Sequence, residues 1–597
     1  MRTFRLALVM ALAGAGVLTL PLAAAAAPVD DAVSSFTYTR NMHPMGYSPR
    51  VVPLSGAGSG VFNSDLAFWG QRAYQGTYEG FRIIDITAPD DPVEVVNFTG
   101  CVAGTTTGNQ GDVLVWENIL VRSWNSPTPA GGRFCGGVFT PAGQEGVHVF
   151  DISDPTNPVA LAFVSTPCGS HTETAVPDLA NGRLLVYSSA SSNAVNCRGL
   201  DIIQVPLETP AAASYLRFEP SGNPTAPQPN LVTVDMPSPA AGTYLASGAA
   251  FGMTPTHEGV AGAFALANDG TANPTEGCNA LVGFPAGAIA LVDRGTCSFL
   301  QKATVAQAAG AAALVVANNA PGDPITMGGD DPGHTITIPA VMVSQADGNT
   351  IKAGLPATGR VSAAEIPENP ERACHDTAVI LGDVMKTACA GHDGISVWSL
   401  DPADGGSLAD PALLYSMVFH GITIGHTAAF TWDGKYIVFG HEPGGGGDAR
   451  CQATSSELDK TLFFLDADTG ETAGTMLHPR PQTATENCTW HNLNVVPTDK
   501  RYVLVSGNYQ SGISVIDFTD PANAREIAYA DPAPLSDSTL VLGGDWSTYW
   551  YNGRIYESDI RRGLIIWNLS DPAVAGAKRL PHLNPQTQLT SFPSKSK

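Results

Sequence analysis

The sequence has few positively charged residues, and this shortage limits the partners it can have. Its 597 residues include 31 Lys and Arg against 55 Asp and Glu, for a formal net charge of -24 at pH 7. A surface of this sign repels the phosphate backbone of nucleic acids. We therefore exclude nucleic-acid binding, while the excess of carboxylates leaves room for bound cations.

Motifs of several enzyme classes are also missing. The chain has no His-Glu-x-x-His zinc motif, and its glycine run at 444–447 lacks the Lys and Ser or Thr of a phosphate-binding loop. The run therefore predicts a flexible loop. No G-x-S-x-G context surrounds the Ser-rich stretch at 188–193, and no protease triad can be assigned. The sequence names no catalytic residue.

A long apolar run occurs only at the N-terminus. Arg2 and Arg5 precede apolar residues from Leu6 to Leu22, and small residues follow up to Ala27. This order predicts a signal peptide over 1–27, although the run also approaches the length of a membrane anchor. No later run could span a membrane. We therefore expect a secreted chain, extracellular or periplasmic, with no membrane span after processing.

Ten cysteines in an exported chain favour disulfide bonds. They fall into sequential neighbours, and proximity along the chain is our only reason for the pairing, so other pairings stay open. The candidate pairs are Cys101 with Cys135, Cys168 with Cys197, Cys278 with Cys297, Cys374 with Cys389, and Cys451 with Cys488.

One sequence unit recurs seven times. It contains alternating apolar residues, usually an Asp, and then a turn with Pro or Gly, as in GFRIIDITAPDDPVEVV at 80–96 and GISVIDFTDPANAREIAYA at 512–530. A two-strand hairpin pattern precedes the copies, so each unit has four strands. Seven such units predict a mainly β fold, a seven-bladed β-propeller. A pair of β-sandwiches is the alternative.

The copies resemble the repeats of the LVIVD family, most clearly in the strands FRIIDI, VHVFDI and ISVIDF. This resemblance covers roughly 60–225 and 372–585. Gln204 departs from it by replacing the Asp at the strand end. The outer strand of the last blade could come from Ser35 to Val52 or from Ala577 to Leu583, and a strand from the N-terminus would leave no open sheet edge.

The repeat spacing breaks once, between the third and fourth units. The segments GAIALVDRGTCSFLQKATVAQAAGAAALVVANN at 287–319 and ITIPAVMVSQADGNTI at 336–351 resemble the protease-associated (PA) domain. The resemblance implies an α/β module that acts as a lid or binds proteins. We therefore predict blades 1–3 at 28–228, an inserted PA domain at 229–366 and blades 4–7 at 367–597.

The first residue of the inner hairpin is His or Asp in every blade. Inner strands of a propeller start at one mouth of its channel, so these side chains should form a ring, a candidate site for Zn, Cu, Mn or Ca. Alternatively, they bond the backbone of the neighbouring blade or bind a substrate. The ring contains Asp65, Asp112, His171, His375, His426, His491 and Asp545, with Glu79, His392, Asp393, His441, Glu442 and Asp559 as outer groups.

These observations support two main hypotheses for function. The first is a monomeric binding protein that uses a propeller face and the PA domain to hold a protein, peptide or glycan. The second is a metal-dependent hydrolase or oxidase that works at the His and Asp ring. A structural or adhesive surface component is a third hypothesis, which the lack of a C-terminal anchor motif disfavours.

Overall fold

The structure is a computed structural model that describes residues 28–54, 61–101, 109–190, 197–221, 230–253, 255–256, 259–322, 324–329, 335–363, 374–391, 393–419 and 421–590. It is a mainly β, seven-bladed propeller with an α/β domain inserted after blade 3, which confirms the predicted fold class. The predicted signal peptide at 1–27 and the candidate His392 lie outside the described residues.

Each blade is an antiparallel meander of four strands whose first strand faces the channel. In blades 1–3 the alternating apolar residues of the repeats pack between neighbouring sheets, which produces shared cores. The strands are Asn63–Trp69, Arg72–Thr77, Gly80–Asp85 and Val93–Phe98 in blade 1; Val113–Trp116, Ile119–Trp124, Gly146–Asp151 and Val159–Ser165 in blade 2; and Glu173–Asp178, Arg183–Ser189, Gly199–Pro206 and Ser214–Pro220 in blade 3. Blade 2 also carries the hairpin Arg133–Cys135 and Val138–Thr140.

Blades 4–7 follow the inserted domain with the same meander. Their strands are Cys374–Leu381, Lys386–Gly391, Gly394–Ser399 and Ala412–Val418 in blade 4; Gly425–Phe430, Tyr436–His441, Thr461–Asp466 and Thr472–Leu477 in blade 5; Asn492–Val495, Val503–Gly507, Ile513–Asp517 and Arg525–Asp531 in blade 6; and Asp545–Tyr551, Arg554–Asp559 and Gly563–Leu569 in blade 7.

The Asp-Pro turn of the repeat has a local physical cause. Asp401, Asp520 and Asp571 each accept a hydrogen bond from the backbone N–H two residues later, which starts the short 3-10 helices Pro402–Asp404, Pro521–Asn523 and Pro572–Val574. A β-bulge lies between the third and fourth strands of blades 1 to 6. Further 3-10 helices are Leu179–Asn181, Pro210–Ala212, Pro274–Glu276 and Leu458–Lys460.

The ring is closed by the N-terminus of the described chain. Met42–Pro49 pairs antiparallel with Gly563–Leu569 and is the fourth strand of blade 7. Ahead of it, the helix Val29–Val33 packs on the core shared by blades 6 and 7, and Thr37–Tyr38 extends blade 6. Of the two segments that could supply this strand, the N-terminal one does so.

The segment Pro581–Thr590 has a different position, and we call it the C-terminal plug. Its strand His582–Leu583 pairs with Trp69 and Phe68 at the end of the inner strand of blade 1. Its strand Thr587–Leu589 runs parallel to the inner strand of blade 4. The plug therefore crosses the end of the channel that lies opposite the starts of the inner strands.

The inserted domain is a closed barrel of seven strands with two helices. Ser298 and Ser344 cap the helices Phe299–Ala308 and Gln345–Ala353 by accepting backbone hydrogen bonds. Its strands are Asn230–Val234, Gly242–Ser247, Val260–Leu266, Ile289–Asp293, Ala313–Ala317, Ala340–Val343 and Thr358–Ala363.

Five disulfide bonds join the cysteines in the predicted pairs. The two cysteines of each pair are separated by between 15 and 37 residues along the chain. Within the described residues, no helix combines the length and the apolar character that crossing a bilayer demands.

Candidate functional site

A cavity of about 20 Å³ lies at the channel end where the inner strands begin. This volume holds one water molecule or one ion but no organic ligand. Six of the seven predicted ring residues line it: Asp65, Asp112, His171, His375, His426 and His491. The other lining residues are Gln110, Thr172, Asn492, Trp546 and Gln586.

Bulges at the starts of inner strands decide which side chains reach the cavity. His375 and His426 each lie where the strand register shifts by one residue, and the residues on either side of them pair with the second strand. Such a bulge leaves one residue unpaired and redirects its side chain. In blade 7 the residue in this position is Trp546.

Asp545 accordingly lies one position before the bulge and is not among the residues that line the cavity. Its carboxylate is buried beside those of Glu557 and Asp559, with ligand oxygens within 4.8 Å of one another. Burial, with Glu557 close by, raises its pKa well above the usual value. Six ring positions thus belong to one site and the seventh to a separate acidic cluster.

Four imidazoles form a continuous arc along one side of the cavity. Ring centroids are 4.2 Å apart from His171 to His375, 4.1 Å from His375 to His426 and 4.2 Å from His426 to His491. The phenol ring of Tyr509 extends this arc at 4.2 Å from His491. We call these four histidines the His arc.

Hydrogen bonds assign the tautomers of two members of the His arc. The Nδ1 atom of His491 lies 2.6 Å from the carbonyl oxygen of Trp546, so it carries the proton. The hydroxyl of Thr427 donates its proton to the carbonyl of His491, so it accepts from Nδ1 of His426 at 2.7 Å. The Nε2 atoms of His426 and His491 therefore carry lone pairs.

The other two histidines differ from this pair. Asn125 accepts a hydrogen bond from the backbone N–H of Gln110, which turns its amide nitrogen toward Nδ1 of His171 at 3.2 Å. In its neutral form His171 therefore has its proton on Nε2. The Nδ1 atom of His375 is buried and has no hydrogen-bond partner in the described structure.

Glu442 completes the arrangement on the side of His426 and His491. Its two carboxylate oxygens lie 3.9 Å and 3.7 Å from the Nε2 atoms of these histidines. Tyr509 donates a hydrogen bond to the same carboxylate at 2.5 Å. Ligand atoms of His375, His426 and Glu442 all lie within 4.8 Å of one another. The Nε2 lone pairs of His426 and His491 thus face the Glu442 carboxylate, and neither histidine donates a hydrogen bond to it.

Burial controls the charge state of these groups. It lowers the pKa of His171 to about 4 and that of His491 to about 3, and it raises the pKa of Glu442 to about 7. The histidines are therefore neutral at pH 7 and can act as ligands.

Carboxyl groups line the opposite side of the cavity. Burial, and the neighbouring carboxylate of Asp65, raise the pKa of Asp112 well above its usual value. Asp65 accepts a hydrogen bond from Tyr549 at 2.5 Å, while its second carboxylate oxygen is buried without a partner. Burial and the neighbouring carboxylate thus favour the protonated form of Asp112.

The residues that directly follow three of the arc histidines form hydrogen bonds between neighbouring blades. The hydroxyls of Thr172 and Thr427 donate to the carbonyls of His375 and His491, both at 2.6 Å, across a blade boundary. Asn492 donates to the carbonyl of Trp546 at 2.9 Å. His491 also has the structural role considered for the ring, because its Nδ1 donates to the carbonyl of Trp546 in blade 7. The neighbouring residues make further bonds of this kind, and the Nε2 atoms of His426 and His491 remain available to the cavity.

Most of the outer groups named from the sequence have other partners. Glu79 pairs with Arg50 at 3.0 Å, and Asp559 pairs with Arg562 at 2.6 Å. The Nε2 atom of His441 lies 2.6 Å from the carbonyl of Leu458, and Asp393 lies in a tight turn of blade 4. Glu442 is the outer group that the described structure places against the His arc.

Tyr509, Trp546 and Gln586 are site residues that sequence reasoning missed. Tyr509 follows the second strand of blade 6, as Glu442 follows that of blade 5, so the blade alignment contained a signal for it. Trp546 required knowledge of a bulge, and Gln586 belongs to the plug, outside the repeats.

Comparison with known protein families identifies the inserted domain. Residues 243–351 match the family model of the PA domain. This insertion is a PA domain. The chain is similar to "Signal peptide peptidase-like 3" of Oryza sativa subsp. japonica, 35% identical over 130 residues, which are 21% of this chain and 24% of that protein.

Two more similarities cover a shorter stretch or have a lower sequence identity. "Leucine aminopeptidase 2" of Trichophyton rubrum is 44% identical over 89 residues, which are 14% of this chain and 17% of that protein. The chain thus spans a quarter or less of the relatives it matches. An alignment with the solved Cps50 (Swd1) beta-propeller domain of Myceliophteria thermophila covers 88% of this chain and 100% of that domain, with 8% sequence identity and a TM-score of 0.35.

Proposed function

We propose that this protein is an exported, monomeric propeller of LVIVD-type repeats that binds one divalent transition-metal ion at its channel mouth. The ligands are His375, His426, His491 and Glu442. The observation that carries the proposal is the pair of Nε2 lone pairs that face the two oxygens of the Glu442 carboxylate at 3.9 Å and 3.7 Å. The five disulfide bonds support an oxidising compartment.

The arrangement of acceptors favours a bound cation. The Nδ1 proton of His491 is donated to Trp546 and that of His426 to Thr427. Neither histidine can therefore donate to Glu442. Buried acceptors that face one another need a donor or a cation between them, and a water molecule in the cavity can donate to only two of them, whereas a cation can bind them all. A proton on Glu442 satisfies one histidine at most, whereas a metal ion satisfies every ligand.

The donor set restricts the kind of ion. Several imidazoles with one carboxylate suit Zn, Cu, Fe or Mn, whereas Ca²⁺ prefers six or more oxygen ligands. The cavity of about 20 Å³ is too small to hold an organic substrate beside the ion. A hydrolase or oxidase reaction would therefore need a substrate above the mouth that contacts the ion through an exchangeable ligand.

Elemental analysis of the full chain, purified without a His-tag, tests the metal site. We expect close to one equivalent of a transition metal after supplementation and dialysis. The double variant His375→Ala with His426→Ala should lose it. His43→Ala is the matched control, because His43 is exposed and hydrogen-bonds Ser570 at 2.9 Å. Less than about a tenth of an equivalent in the wild type would refute the proposal.

A binding role is the second candidate, and the PA match at 243–351 favours it. In this case the PA domain and a propeller face hold a protein, peptide or glycan, with or without the ion. Pull-down from the native extracellular fraction should recover one specific partner, and recovery should fail when residues 229–366 are removed. Equal recovery with and without these residues would exclude the PA domain as the binding module.

A further inference from the structure

The C-terminal plug is fixed to the inner strands of several blades. Asn584 accepts a hydrogen bond from the backbone N–H of Val115 in blade 2 at 2.8 Å and donates to its carbonyl at 2.9 Å. Thr587 donates to the carbonyl of Ala175 in blade 3 at 2.7 Å. Gln588 donates to blade 5 at 2.5 Å. Tyr551 of blade 7 donates to the carbonyl of Pro581 at 3.2 Å, so together with its strand pairs in blades 1 and 4 the plug is bonded to six blades.

One side chain of the plug reaches the cavity of the His arc. Gln586 lines it together with the histidines, and its carbonyl oxygen is fixed by the backbone N–H of Val379 at 2.7 Å. The Gln586 amide group makes no hydrogen bond to any described residue, although its neighbours Asn584, Thr587 and Gln588 are all bonded. Because Gln586 lines the cavity and its backbone is held, its uncommitted amide is available to a group bound in the cavity.

We propose that the C-terminal plug is part of the metal site and that Gln586 contacts the exchangeable ligand of the ion. This inference rests on the proposed metal function. His375, His426, His491 and Glu442 would hold the ion, and Gln586 of the plug lines the same cavity near the channel axis. The plug closes the far end of that axis and presents an amide that can both donate and accept a hydrogen bond.

The plug also makes access one-sided. Because it crosses the channel at the end opposite the starts of the inner strands, we infer that water and any ligand enter from the mouth where those strands begin. Gln586 would therefore position the exchangeable ligand of the ion in the cavity, rather than bind the ion itself.

Cobalt substitution of the full chain tests this role, because the visible absorption of Co²⁺ reports changes around the ion without any assay of activity. Gln586→Ala should still bind one equivalent of Co²⁺, with a shifted visible band and an affinity about 10-fold lower. Gln588→Ala is the matched control. It removes a plug hydrogen bond outside the cavity, so it should leave the band unchanged.

The outcomes separate this inference from the proposed function. A wild-type chain that binds no Co²⁺ overturns both. A wild type that binds Co²⁺, combined with an unchanged band and affinity in Gln586→Ala, overturns the role of Gln586 alone. Should Gln586→Ala fail to fold, Gln586→Glu has nearly the same size, and its added carboxylate should shift the band and bind Co²⁺ more tightly. An unchanged Gln586→Glu would then refute the inference.

Discussion

Replacing Glu442 by Gln should stabilise the metal-free protein at high pH while it destroys the metal site. Burial raises the pKa of Glu442 from 4.5 to about 7. A carboxyl whose pKa is raised on folding has no effect on stability below pH 4.5, destabilises increasingly between 4.5 and 7, and has a constant effect above 7. The difference of about 2.5 pKa units corresponds to about 3 kcal/mol of lost unfolding free energy.

Gln has the same shape, and its amide can serve its neighbours better than an ionised carboxylate. Its oxygen can accept from Tyr509, as Glu442 does, and its nitrogen can donate to the Nε2 lone pair of His426 or His491. We therefore expect Glu442→Gln to raise the unfolding free energy at pH 8 by as much as about 3 kcal/mol. At pH 5 the two proteins should nearly coincide.

The measurement is urea unfolding of chelator-treated protein at both pH values, followed by tryptophan fluorescence. Comparing two proteins at one pH cancels the contributions of the other buried groups. Added metal should then stabilise only the wild type, because an ion that binds the folded state shifts the unfolding equilibrium. Destabilisation of the variant at pH 8, or equal shifts at both pH values, would refute our account of Glu442.

Three more perturbations follow from the geometry. Gly446→Ala would place a Cβ atom 2.2 Å from the hydroxyl of Tyr509 and should cost about 1–3 kcal/mol and weaken metal binding. Gly445→Ala, whose nearest neighbouring atom is 3.8 Å away at a similar positive φ, should show only the backbone penalty in the same urea and metal titrations. Asn584→Ala should lose about 2 kcal/mol in urea unfolding through two buried hydrogen bonds, and no loss would mean that the plug is dispensable. Replacing residues 229–366 by a short linker should leave metal content unchanged in elemental analysis, and loss of the metal would show that the PA domain contributes to the site.

Local patterns made much of the fold predictable. The alternation of apolar residues specifies strands because successive side chains point to opposite faces. The Asp at the turn specifies the following 3-10 helix through one side-chain hydrogen bond, as Asp520 shows. Neighbouring cysteines form the disulfide bonds because strands that follow one another in the chain pack side by side.

The centre of the candidate site was less accessible to sequence reasoning. A bulge moves the cavity-facing position by one residue, from Asp545 to Trp546, and no local pattern marks it. The approach of Glu442 to His491 joins different blades, and the position of Gln586 depends on a segment outside the repeats. These contacts arise from closing the ring, so periodicity alone does not encode them.

The strand Met42–Pro49 has a consequence for how the chain reaches its final state. It is synthesised well before its partner Gly563–Leu569, which lies about 500 residues later in the chain. At a typical 5–20 residues per second it waits about 25–100 s with an exposed edge. During that interval the strand Met42–Pro49 has no partner in the ring, so a chaperone or a competing strand can bind it. A tag or fusion placed next to Met42–Pro49 would therefore interfere with closure of the propeller ring more than one attached to the PA domain.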